Sequence, residues 1–438
     1  MTEITKEEND KKESPVVDST GRTLRDYLKT EFGPNTIGIE AGADAPVMRF
    51  RPPFQRIAKY DTKADSLQLV IDNLTQRRLP INVAYVVALN YIKQNETEFE
   101  IEDVPFTEGG SEADLLREGA NWAKKILDGI TPYCQQIIQG TVDVEGLPKN
   151  WWNLAISSTT DRGRRKQQED RMVVLPSLQF HFPHIKDSVS LFGVFDGHGG
   201  PSIATYAAAH LPFEVGSALE KSPEDRGEAL KLAMAGMDKR VAARCQVEPW
   251  TGQGSTAVVS LVDDSFIHIR WLGDSNAYLL TKTGVKLVTV PHTPRDNDEA
   301  ERIKNAGGEL IFVQGELRVN GVLNLTRALG DLSGRPVISG DSDGIQIKRE
   351  DDQYLLMFVC DGVCDGNKAS DFHEMVKEFV NQNVVEDYHD LAEALVRSAI
   401  DNGSSDNCTC VIVFLRSPSD LWKLLYKTES NEEEEKFE

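Results

Sequence analysis

The sequence predicts an α+β fold: a four-layer αββα sandwich of two antiparallel sheets flanked by helices, preceded by a smaller, mostly helical region. Helical patterns occupy much of the first 145 residues, and short strand-like runs separated by helical patterns follow from Trp151. Several of these runs are apolar on both faces. Such a strand must be covered twice, once by a second sheet and once by helices, which gives the four layers.

The first 145 residues divide into a polar tail and a helical region. Residues 1–21 are charged and small without periodicity, so we expect them to be disordered. Apolar residues at three- and four-residue spacing then predict helices at 24–29, 65–74, 80–94, 111–127 and 132–139. Pro80 and Pro132 suit the first turns of two of these helices. We therefore predict a helical interaction or regulatory domain at 22–145 that binds a protein partner.

Residues 146–416 form the second predicted unit. Its strands are expected at 154–160, 172–175, 188–195, 255–262, 266–272, 277–281, 345–348, 354–360 and 409–414. Its helices are expected at 202–210, 226–245, 298–305, 371–381 and 391–400. An amphipathic helix at 417–428 should pack on this unit, and the acidic run at 429–438 should be a disordered tail.

Composition excludes several functions. The chain has 438 residues, 48 basic and 70 acidic, and a formal net charge of −22. Such a surface repels nucleic acid and anionic membranes, so we expect neither as a partner. The six cysteines lack paired metal-binding spacing, which favours buried reduced thiols. The polar start and the lack of long apolar runs predict an intracellular, cytoplasmic protein, with the nucleus as the alternative compartment.

Acidic residues recur at the ends of hydrophobic strands. Asp196, Asp361 and Asp406 border three predicted strands, and Glu169-Asp170 precedes a fourth. If these strand ends converge, the carboxylates repel one another unless a cation holds them. Oxygen ligands without a histidine or cysteine cluster favour magnesium or manganese over zinc.

Seven short motifs in a fixed order carry a resemblance to a known family. They are Arg165-x-x-x-Glu169-Asp170, Asp196-Gly-His-Gly-Gly200, Gly254-Ser-Thr256, Gly273-Asp-Ser275, Arg327-Ala-Leu-Gly-Asp331, Asp361-Gly362 and Asp406-Asn407. In this order they resemble the metal-dependent (type 2C, PPM) serine/threonine protein phosphatases over residues 150 to 416. The αββα sandwich is also the fold of that family.

The resemblance implies a site that holds two Mg²⁺ or Mn²⁺ ions. The implied ligands are Asp170, Asp196, Asp361, Asp406, the Gly197 carbonyl and, through water, Glu169. Asp274 and Asp365 would join Asp361 around a third, weaker ion. A hydroxide that bridges the two ions would attack phosphorus directly, with Arg165 binding the phosphate and His198 protonating the leaving oxygen.

Each of these residues has a simpler interpretation. An aspartate at a strand end is often a turn residue, and Asp-Ser turns also occur without metals. His198 could cap the following helix or bind a carboxylate, and Arg162 and Arg164 compete with Arg165 for the phosphate-binding role. Residues 332–340 correspond to the variable flap of the family, and we expect them beside the cleft as a source of substrate choice.

Three positions depart from the usual pattern of the family. Asn276 replaces an arginine, Cys364 replaces an aromatic residue and Ser405 replaces a basic one. None of them is an implied core ligand, so these departures concern substrate contacts and turnover rate rather than hydrolysis itself.

The sequence thus predicts a protein phosphatase that acts on phosphoserine and phosphothreonine in phosphoprotein substrates and has a partner-binding N-terminal domain. The alternative from another class is a catalytically weak, phosphatase-like adaptor that binds phosphoproteins. A phosphatase for small metabolites is a third possibility. Inert relatives usually lose a core acid, whereas all four remain here, which favours the enzyme.

Overall fold

Helices dominate the N-terminal part of the protein. The computed structural model describes residues 22–33, 56–58, 61–99, 116–142, 144 and 154–426. The elements of the N-terminal region are α1 (Leu24–Phe32), β1 (Arg56–Ala58), α2 (Thr62–Gln76), α3 (Ile81–Gln94), α4 (Glu96–Phe99), β2 (Leu116–Glu118) and α5 (Gly119–Gln139). Strands β1 and β2 pair antiparallel across a long stretch of sequence.

Capping residues fix where the first helix begins. Thr23 Oγ1 accepts a hydrogen bond from the Asp26 backbone N–H at 3.2 Å, and Asp26 Oδ2 accepts one from the Thr23 N–H at 3.0 Å. This reciprocal capping box satisfies two backbone donors at the start of α1. The predicted helix at 24–29 is therefore present and extends one turn further.

Pro132 does not begin a new helix, so that part of the sequence prediction was wrong. It lies inside α5. Proline removes the hydrogen bond to the carbonyl four residues earlier, on Asp128, but Asp128 is exposed and water can replace the lost donor. Buried residues on both sides, including Ile130 and Ile137, continue the same apolar stripe and carry the helix past the proline.

The second part contains two five-stranded antiparallel sheets. Its longer strands are β3 (Ile156–Asp161), β4 (Arg171–Leu175), β5 (Ser190–Phe195), β8 (Ala257–Val262), β9 (Phe266–Leu272), β10 (Asn276–Thr281), β11 (Gly284–Leu287), β15 (Asp343–Lys348), β16 (Gln353–Val359) and β17 (Cys408–Phe414). One sheet has the order β11-β10-β16-β17-β3 and the other β15-β9-β8-β5-β4.

Five short strands of this second part lie outside its two five-stranded sheets. They are β6 (Gly197–His198), β7 (Gly254–Ser255), β12 (Leu310–Val313), β13 (Glu316–Val319) and β14 (Leu329–Gly330). Strands β14, β7 and β6 form a small sheet, and β12 and β13 form a hairpin. The sequence analysis predicted neither the hairpin nor β11.

Helices cover the outer face of each sheet. They are α6 (Leu178–His181), α7 (Ser202–Lys221), α8 (Arg226–Val247), α9 (Asn297–Asn305), α10 (Asp361–Gly366), α11 (Phe372–Gln382), α12 (Leu391–Asp401) and α13 (Pro418–Leu425), with 3₁₀ turns at Leu332–Gly334, Ala369–Asp371 and Val385–Asp390. Helices α7 and α8 pack on β4, β5 and β9, and α10 and α12 pack on β16, β17 and β3. The predicted four-layer αββα sandwich is thereby confirmed.

Two large buried apolar cores follow from this arrangement, beside a small third cluster that includes Ile303 and Ile338. One fills the space between the sheets and continues under α10–α13, with Phe192, Phe358 and Phe414 almost fully buried. The other joins the N-terminal helices to α7 and α8 without interruption, so that Leu69 and Val83 belong to the same core as Leu211. The N-terminal helical region therefore shares a hydrophobic core with one face of the sandwich.

A group of buried charges crosses the same contact. We call Asp61, Asp65, His210, Arg240 and Arg244 the interface cluster. Asp61, which is fully buried, accepts a hydrogen bond from Arg240 Nη2 at 2.9 Å, and Asp65 Oδ1 lies 3.0 Å from His210 Nε2. Arg244 Nε lies 3.9 Å from Asp61 Oδ2. Acids at the start of α2 thus meet cationic side chains of α7 and α8 away from solvent.

Several predictions lie outside the described residues: the two tails and the first residues of the helix expected at 111–127. In the described ranges, no helix is long and apolar enough to cross a membrane. All six cysteines fall within those ranges and none forms a disulfide, as expected for reduced thiols.

Candidate functional site

One cleft collects the acidic residues that the sequence analysis singled out. Its volume is about 900 Å³. Its lining includes Arg165, Glu169, Asp196, Gly197, His198, Asp274, Asp361, Asp365 and Asp406. Asp196 follows β5, Asp361 follows β16 and Asp406 lies just before β17. The four chain segments that carry acids at predicted strand ends therefore meet in one place, and the turn with Asp274 brings a fifth.

Asp170 lies beneath the cleft floor and is only 2% exposed. Its Oδ2 accepts a hydrogen bond from Thr409 Oγ1 at 2.7 Å, whereas Oδ1 has no hydrogen-bond donor among the described residues. Single ligand atoms of Asp170, Asp196 and Cys360 lie within 4.8 Å of one another. A buried carboxylate oxygen without a donor is costly, and a cation in the cleft would remove that cost.

We call Asp170, Asp196, Asp361 and Asp406 the cleft acids. Burial and mutual repulsion raise the pKa of Asp170, Asp196 and Asp361. Burial raises the pKa of Asp196 well above its usual range, and Asp361, Asp170 and Asp274 raise it further. Burial likewise raises the pKa of Asp170 to about 7, against hydrogen bonds that lower it. These carboxylates are poorly compensated by protein groups, and a hard cation suits them.

Asn407 holds the loop that carries Glu169. Its side-chain Oδ1 accepts a hydrogen bond from the Glu169 N–H at 2.8 Å, and its Nδ2 donates to the carbonyls of Arg162 and Gln167, each at 2.9 Å. Glu169 Oε2 in turn accepts a hydrogen bond from the Gly200 N–H at 3.1 Å. One amide side chain therefore fixes the 162–169 loop against the Asp406 end of the cleft.

Arg165 is the cleft cation that the sequence analysis proposed for phosphate. Its Nη2 hydrogen bonds to Asp406 Oδ2, and its side chain is 57% exposed. Arg162 and Arg164 are also exposed, but neither lines the described part of the cleft. The structure thus separates Arg165 from the two arginines that competed with it.

His198 is paired with an acid that the sequence analysis quoted only as part of a motif. His198 Nε2 lies 2.7 Å from Asp331 Oδ2. Asp331 has a left-handed backbone (φ 45°, ψ 41°), uncommon for a residue other than glycine. A Cβ on Gly254 would lie 2.2 Å from that Asp331 oxygen, so only glycine leaves room for the pair. The helix-capping alternative for His198 has no support here, while the carboxylate-binding alternative is realised.

Asp274 and Asp365 line the cleft as well. Burial raises the pKa of Asp274 to about 7, and Asp361 contributes to the rise. Burial and the charge of Asp361 also raise the pKa of Asp365. Both acids are therefore near Asp361, as a third cation site would require.

The segment that forms one wall of the cleft lies earlier in the chain than the flap expected at residues 332–340. None of the described residues 332–340 lines the cleft. The hairpin and the segment after it line it instead, through Glu316, Arg318 and the residues 323–325. Little in the sequence marks this wall, because the hairpin is short and largely exposed, with Phe312 73% exposed.

Two of the three unusual positions are interior residues. Asn276 is 6% exposed and its Nδ2 donates to the Asp274 carbonyl at 2.9 Å. The Cys364 sulfur lies 3.6 Å from the Tyr278 hydroxyl. Ser405, by contrast, lines the cleft. Of the three departures, only Ser405 is placed where a substrate could meet it.

A second group of side chains could also hold a metal ion: Asp61, Asp65 and His210 of the interface cluster. Their acids already have partners in the chain, because Arg240 donates a hydrogen bond to Asp61 and His210 lies against Asp65. Among the described residues, the cleft acids form one ion pair, that of Asp406 with the exposed Arg165. The cleft is therefore the stronger candidate for a metal centre.

Comparisons with known proteins identify the family of the part of the chain that carries the cleft. The protein phosphatase 2C family matches residues 154–408. Protein phosphatase fem-2 of Caenorhabditis elegans is 34% identical over 445 residues, covering 97% of this chain and 98% of that protein. Protein phosphatase 1F of Rattus norvegicus is 34% identical over 279 residues, 63% of this chain and 60% of that protein. A solved structure of a C. elegans sex-determining protein superposes with a TM-score of 0.79 at 31% identity, covering 94% of this chain and 99% of that one.

Proposed function

Because the chain belongs to the protein phosphatase 2C family, we propose that it hydrolyses phosphoserine and phosphothreonine in proteins with the help of bound Mg²⁺ or Mn²⁺. The observation that carries this proposal is the convergence of the four cleft acids beside Arg165 and His198. An anionic phosphoryl group could not enter so acidic a cleft unless cations first neutralised it.

The cleft acids are the residues that would hold two ions, with the Gly197 carbonyl as a further ligand and Glu169 acting through water. The orphaned Oδ1 of Asp170 and the raised pKa of Asp196 both fit a hard divalent cation at this place. When bound, such ions supply Lewis acidity and an activated water near neutral pH. Asp274 and Asp365 would hold the third, weaker ion.

Arg165 would bind and orient the phosphate. In the structure its guanidinium donates a hydrogen bond to Asp406. Because the side chain is exposed, it can turn toward a substrate in the cleft. A guanidinium presents donors in a planar fork that matches phosphate oxygens. Cations held by Asp406 would weaken its hold on Arg165 and free the arginine for the substrate.

His198 would supply the proton that the leaving serine or threonine oxygen needs. Asp331 Oδ2 lies against Nε2 and orients the ring, which leaves Nδ1 as the other ring nitrogen. An alkoxide is too basic to leave unaided, so this proton transfer should matter most for phosphoprotein substrates. No cysteine or serine nucleophile is required for this reaction.

The N-terminal helical region would bind a protein partner, and the similarity to fem-2 suggests a signalling role in sex determination. The apolar side of α2 and α3 already packs on the sandwich. A partner would therefore meet the exposed sides of these helices and of α5.

Phosphate release from a phosphothreonine peptide tests the activity. Purified full-length protein would be assayed with Mn²⁺, Mg²⁺ or chelator, beside Asp361→Asn and the control Asp264→Asn, an exposed acid in the turn between β8 and β9. We expect metal-dependent turnover that falls at least ~10²-fold in Asp361→Asn and is unchanged in Asp264→Asn.

The same assay separates the alternatives. Folded wild-type protein that binds the phosphopeptide but releases no phosphate with either metal would support the adaptor and contradict the enzyme. Faster turnover of small phosphate esters than of phosphoprotein would favour the metabolite phosphatase.

A further inference from the structure

Four cationic side chains occur within five residues at one edge of the cleft. Arg162, Arg164, Arg165 and Lys166 follow strand β3 directly, and all four are exposed. Arg165 and Lys166 line the cleft together with Asp406. The chain as a whole has a formal net charge of −22, so this segment is opposite in charge to the rest of the protein. We call Arg162, Arg164 and Lys166 the basic turn.

The backbone of this segment is fixed against the cleft. The Arg165 N–H donates a hydrogen bond to the Arg162 carbonyl at 3.3 Å and closes a turn. Gly163 has a φ of 58°, and a Cβ there would clash with the Asp406 carbonyl oxygen, so only glycine allows this close approach. Asn407 Nδ2 also donates to the Arg162 carbonyl, at 2.9 Å. The segment therefore presents its side chains from a defined place beside Asp406.

The fold itself does not use the side chains of the basic turn. Among the described residues, the side chains of Arg162, Arg164 and Lys166 form neither an ion pair nor a hydrogen bond. Arg165, by contrast, pairs with Asp406. Neighbouring like charges repel one another, and an anion bound between them would relieve that repulsion. The basic turn is therefore suited to an anionic partner.

We propose that the basic turn binds carboxylate side chains that flank the phosphorylated residue of a substrate. The preferred substrates are then phosphoproteins with acidic residues close to the phosphoserine or phosphothreonine. This inference rests on the proposed function, in which Arg165 binds the phosphate, and it adds a substrate class to that function.

The spacing of the segment determines which substrate residues can meet it. Arg162 and Arg165 are the first and last residues of one turn, so their Cα atoms lie within about 7 Å of each other. An extended peptide advances about 3.3 Å per residue. With the phosphate on Arg165, acids about two or three residues from the phosphorylated residue come within reach of the basic turn.

Other positively charged or titratable side chains in the described cleft lining already have acidic partners. Arg318 Nη2 donates to Glu316 Oε2 at 2.6 Å, and His198 Nε2 lies 2.7 Å from Asp331 Oδ2. An acidic substrate would therefore find its counter-charges at the basic turn, and this would fix the direction in which the substrate crosses the cleft.

Steady-state rates on two matched phosphothreonine peptides test the proposal. One peptide has glutamate at the second and third positions on either side of the phosphothreonine, and the other has glutamine at the same positions. Full-length protein with saturating Mn²⁺ would be assayed as wild type, Arg162→Gln/Arg164→Gln and Arg162→Lys/Arg164→Lys. The control is Lys282→Gln/Lys423→Gln, which removes two exposed cations that do not line the described cleft.

Wild type should prefer the glutamate peptide in kcat/KM, mainly through a lower KM. Exposed charge pairs are individually weak, so Arg162→Gln/Arg164→Gln should reduce this preference by about three- to tenfold. The lysine variant, which keeps the charge, and the control should retain most of the preference. About 0.5 M NaCl should abolish it in wild type, because salt screens exposed charges. The loss on p-nitrophenyl phosphate, which has no flanking residues, should be much smaller than that on the glutamate peptide.

Two results would overturn the proposal. One is a wild-type protein with no preference for the glutamate peptide. The other is an equal loss on both peptides and on p-nitrophenyl phosphate in Arg162→Gln/Arg164→Gln, since the arginines would then act on the phosphate or on the fold and not on flanking carboxylates.

Binding distinguishes a failure of this inference from a failure of the proposed function. Fluorescence anisotropy with non-hydrolysable phosphonate analogues of the two peptides measures affinity without turnover. Suppose that wild type releases no phosphate but binds the glutamate analogue more tightly, and that Arg162→Gln/Arg164→Gln loses this difference. The proposed hydrolysis would then be overturned and the basic turn would stand as a binding surface. Turnover of both peptides with equal kcat/KM would overturn this inference alone.

Discussion

The protein buries acidic side chains in two places and treats them differently. In the interface cluster, Asp61 and Asp65 meet Arg240, Arg244 and His210. In the cleft, the neighbouring charges that act most strongly on Asp196 are those of Asp361, Asp170 and Asp274. Burial raises the pKa of both Asp61 and Asp196, but at Asp61 the nearby histidine and arginines oppose the rise. The interface cluster therefore carries its own counter-charges, whereas the strongest charges around Asp196 in the cleft are those of other acids.

The largest expected effect is a loss of activity in a cleft variant that should at the same time gain stability without metal. Asp196→Asn should reduce kcat/KM for a phosphothreonine peptide at least ~10²-fold, because it removes a proposed metal ligand. In chelator the same variant should be more stable than wild type by about 1 to 2 kcal/mol, because it removes a buried and uncompensated charge. Urea unfolding measures the second effect, and a less stable metal-free variant would contradict the comparison.

In the interface cluster, a substitution that removes a counter-charge should lower the free energy of unfolding. Arg240→Gln removes the donor to Asp61 and the partner of Glu214, so the free energy of unfolding should fall by about 3 kcal/mol. Arg397→Gln, which breaks an exposed pair with Glu393, should change it by no more than about 0.5 kcal/mol. Equal effects of the two substitutions in urea unfolding would show that the interface cluster is not a special source of stability.

A third prediction concerns Asp331, the acid that pairs with His198. Asp331→Asn should reduce kcat about tenfold for a phosphothreonine peptide, because His198 loses the carboxylate that orients its ring. The effect should be small for p-nitrophenyl phosphate, whose leaving group needs no proton. Equal losses on both substrates would assign Asp331 to a structural role.

The smallest effect is a pH dependence of metal-free stability. The pKa of Asp170 and of Asp274 is raised to about 7 in the folded protein. Groups with a raised folded pKa stabilise the protein below their unfolded pKa, near 4, and lose that contribution as pH rises through 7. The unfolding temperature with Mn²⁺ should therefore exceed that in chelator by more at pH 8 than at pH 5. A difference that shrinks with pH would contradict this sign.

Features that depend on residues close together in the chain, such as strand bounds and the acids at strand ends, were predicted from the sequence. The strand Phe266–Leu272 was predicted with its observed bounds, because its apolar run is bordered by polar turns. The acids at strand ends were predicted to meet, and the structure brings them to one cleft. The family resemblance is also confirmed. Apolar periodicity and strand-end position are thus sufficient for the sandwich and the location of the site.

Other features depend on pairs far apart in sequence, which leave no local pattern. Asp61 and Arg240 are 179 residues apart, and His198 and Asp331 are 133 apart. The helix start predicted at Pro132 was wrong. Buried residues on both sides of the proline pack as one stripe, and this packing outweighs the cost of a proline inside the helix. The cleft wall at Glu316 and Arg318 was missed because a short exposed hairpin has little apolar alternation.

The most direct test of the comparison is the shift in unfolding temperature caused by Mn²⁺ at pH 7.5. Wild type, Asp196→Asn and Arg240→Gln would each be measured with saturating Mn²⁺ and with chelator. A ligand that binds only the folded state raises its stability, so wild type and Arg240→Gln should show similar increases and Asp196→Asn little or none. An undiminished increase in Asp196→Asn, or its loss in Arg240→Gln, would contradict the claim that the cleft, and not the interface cluster, needs an external cation.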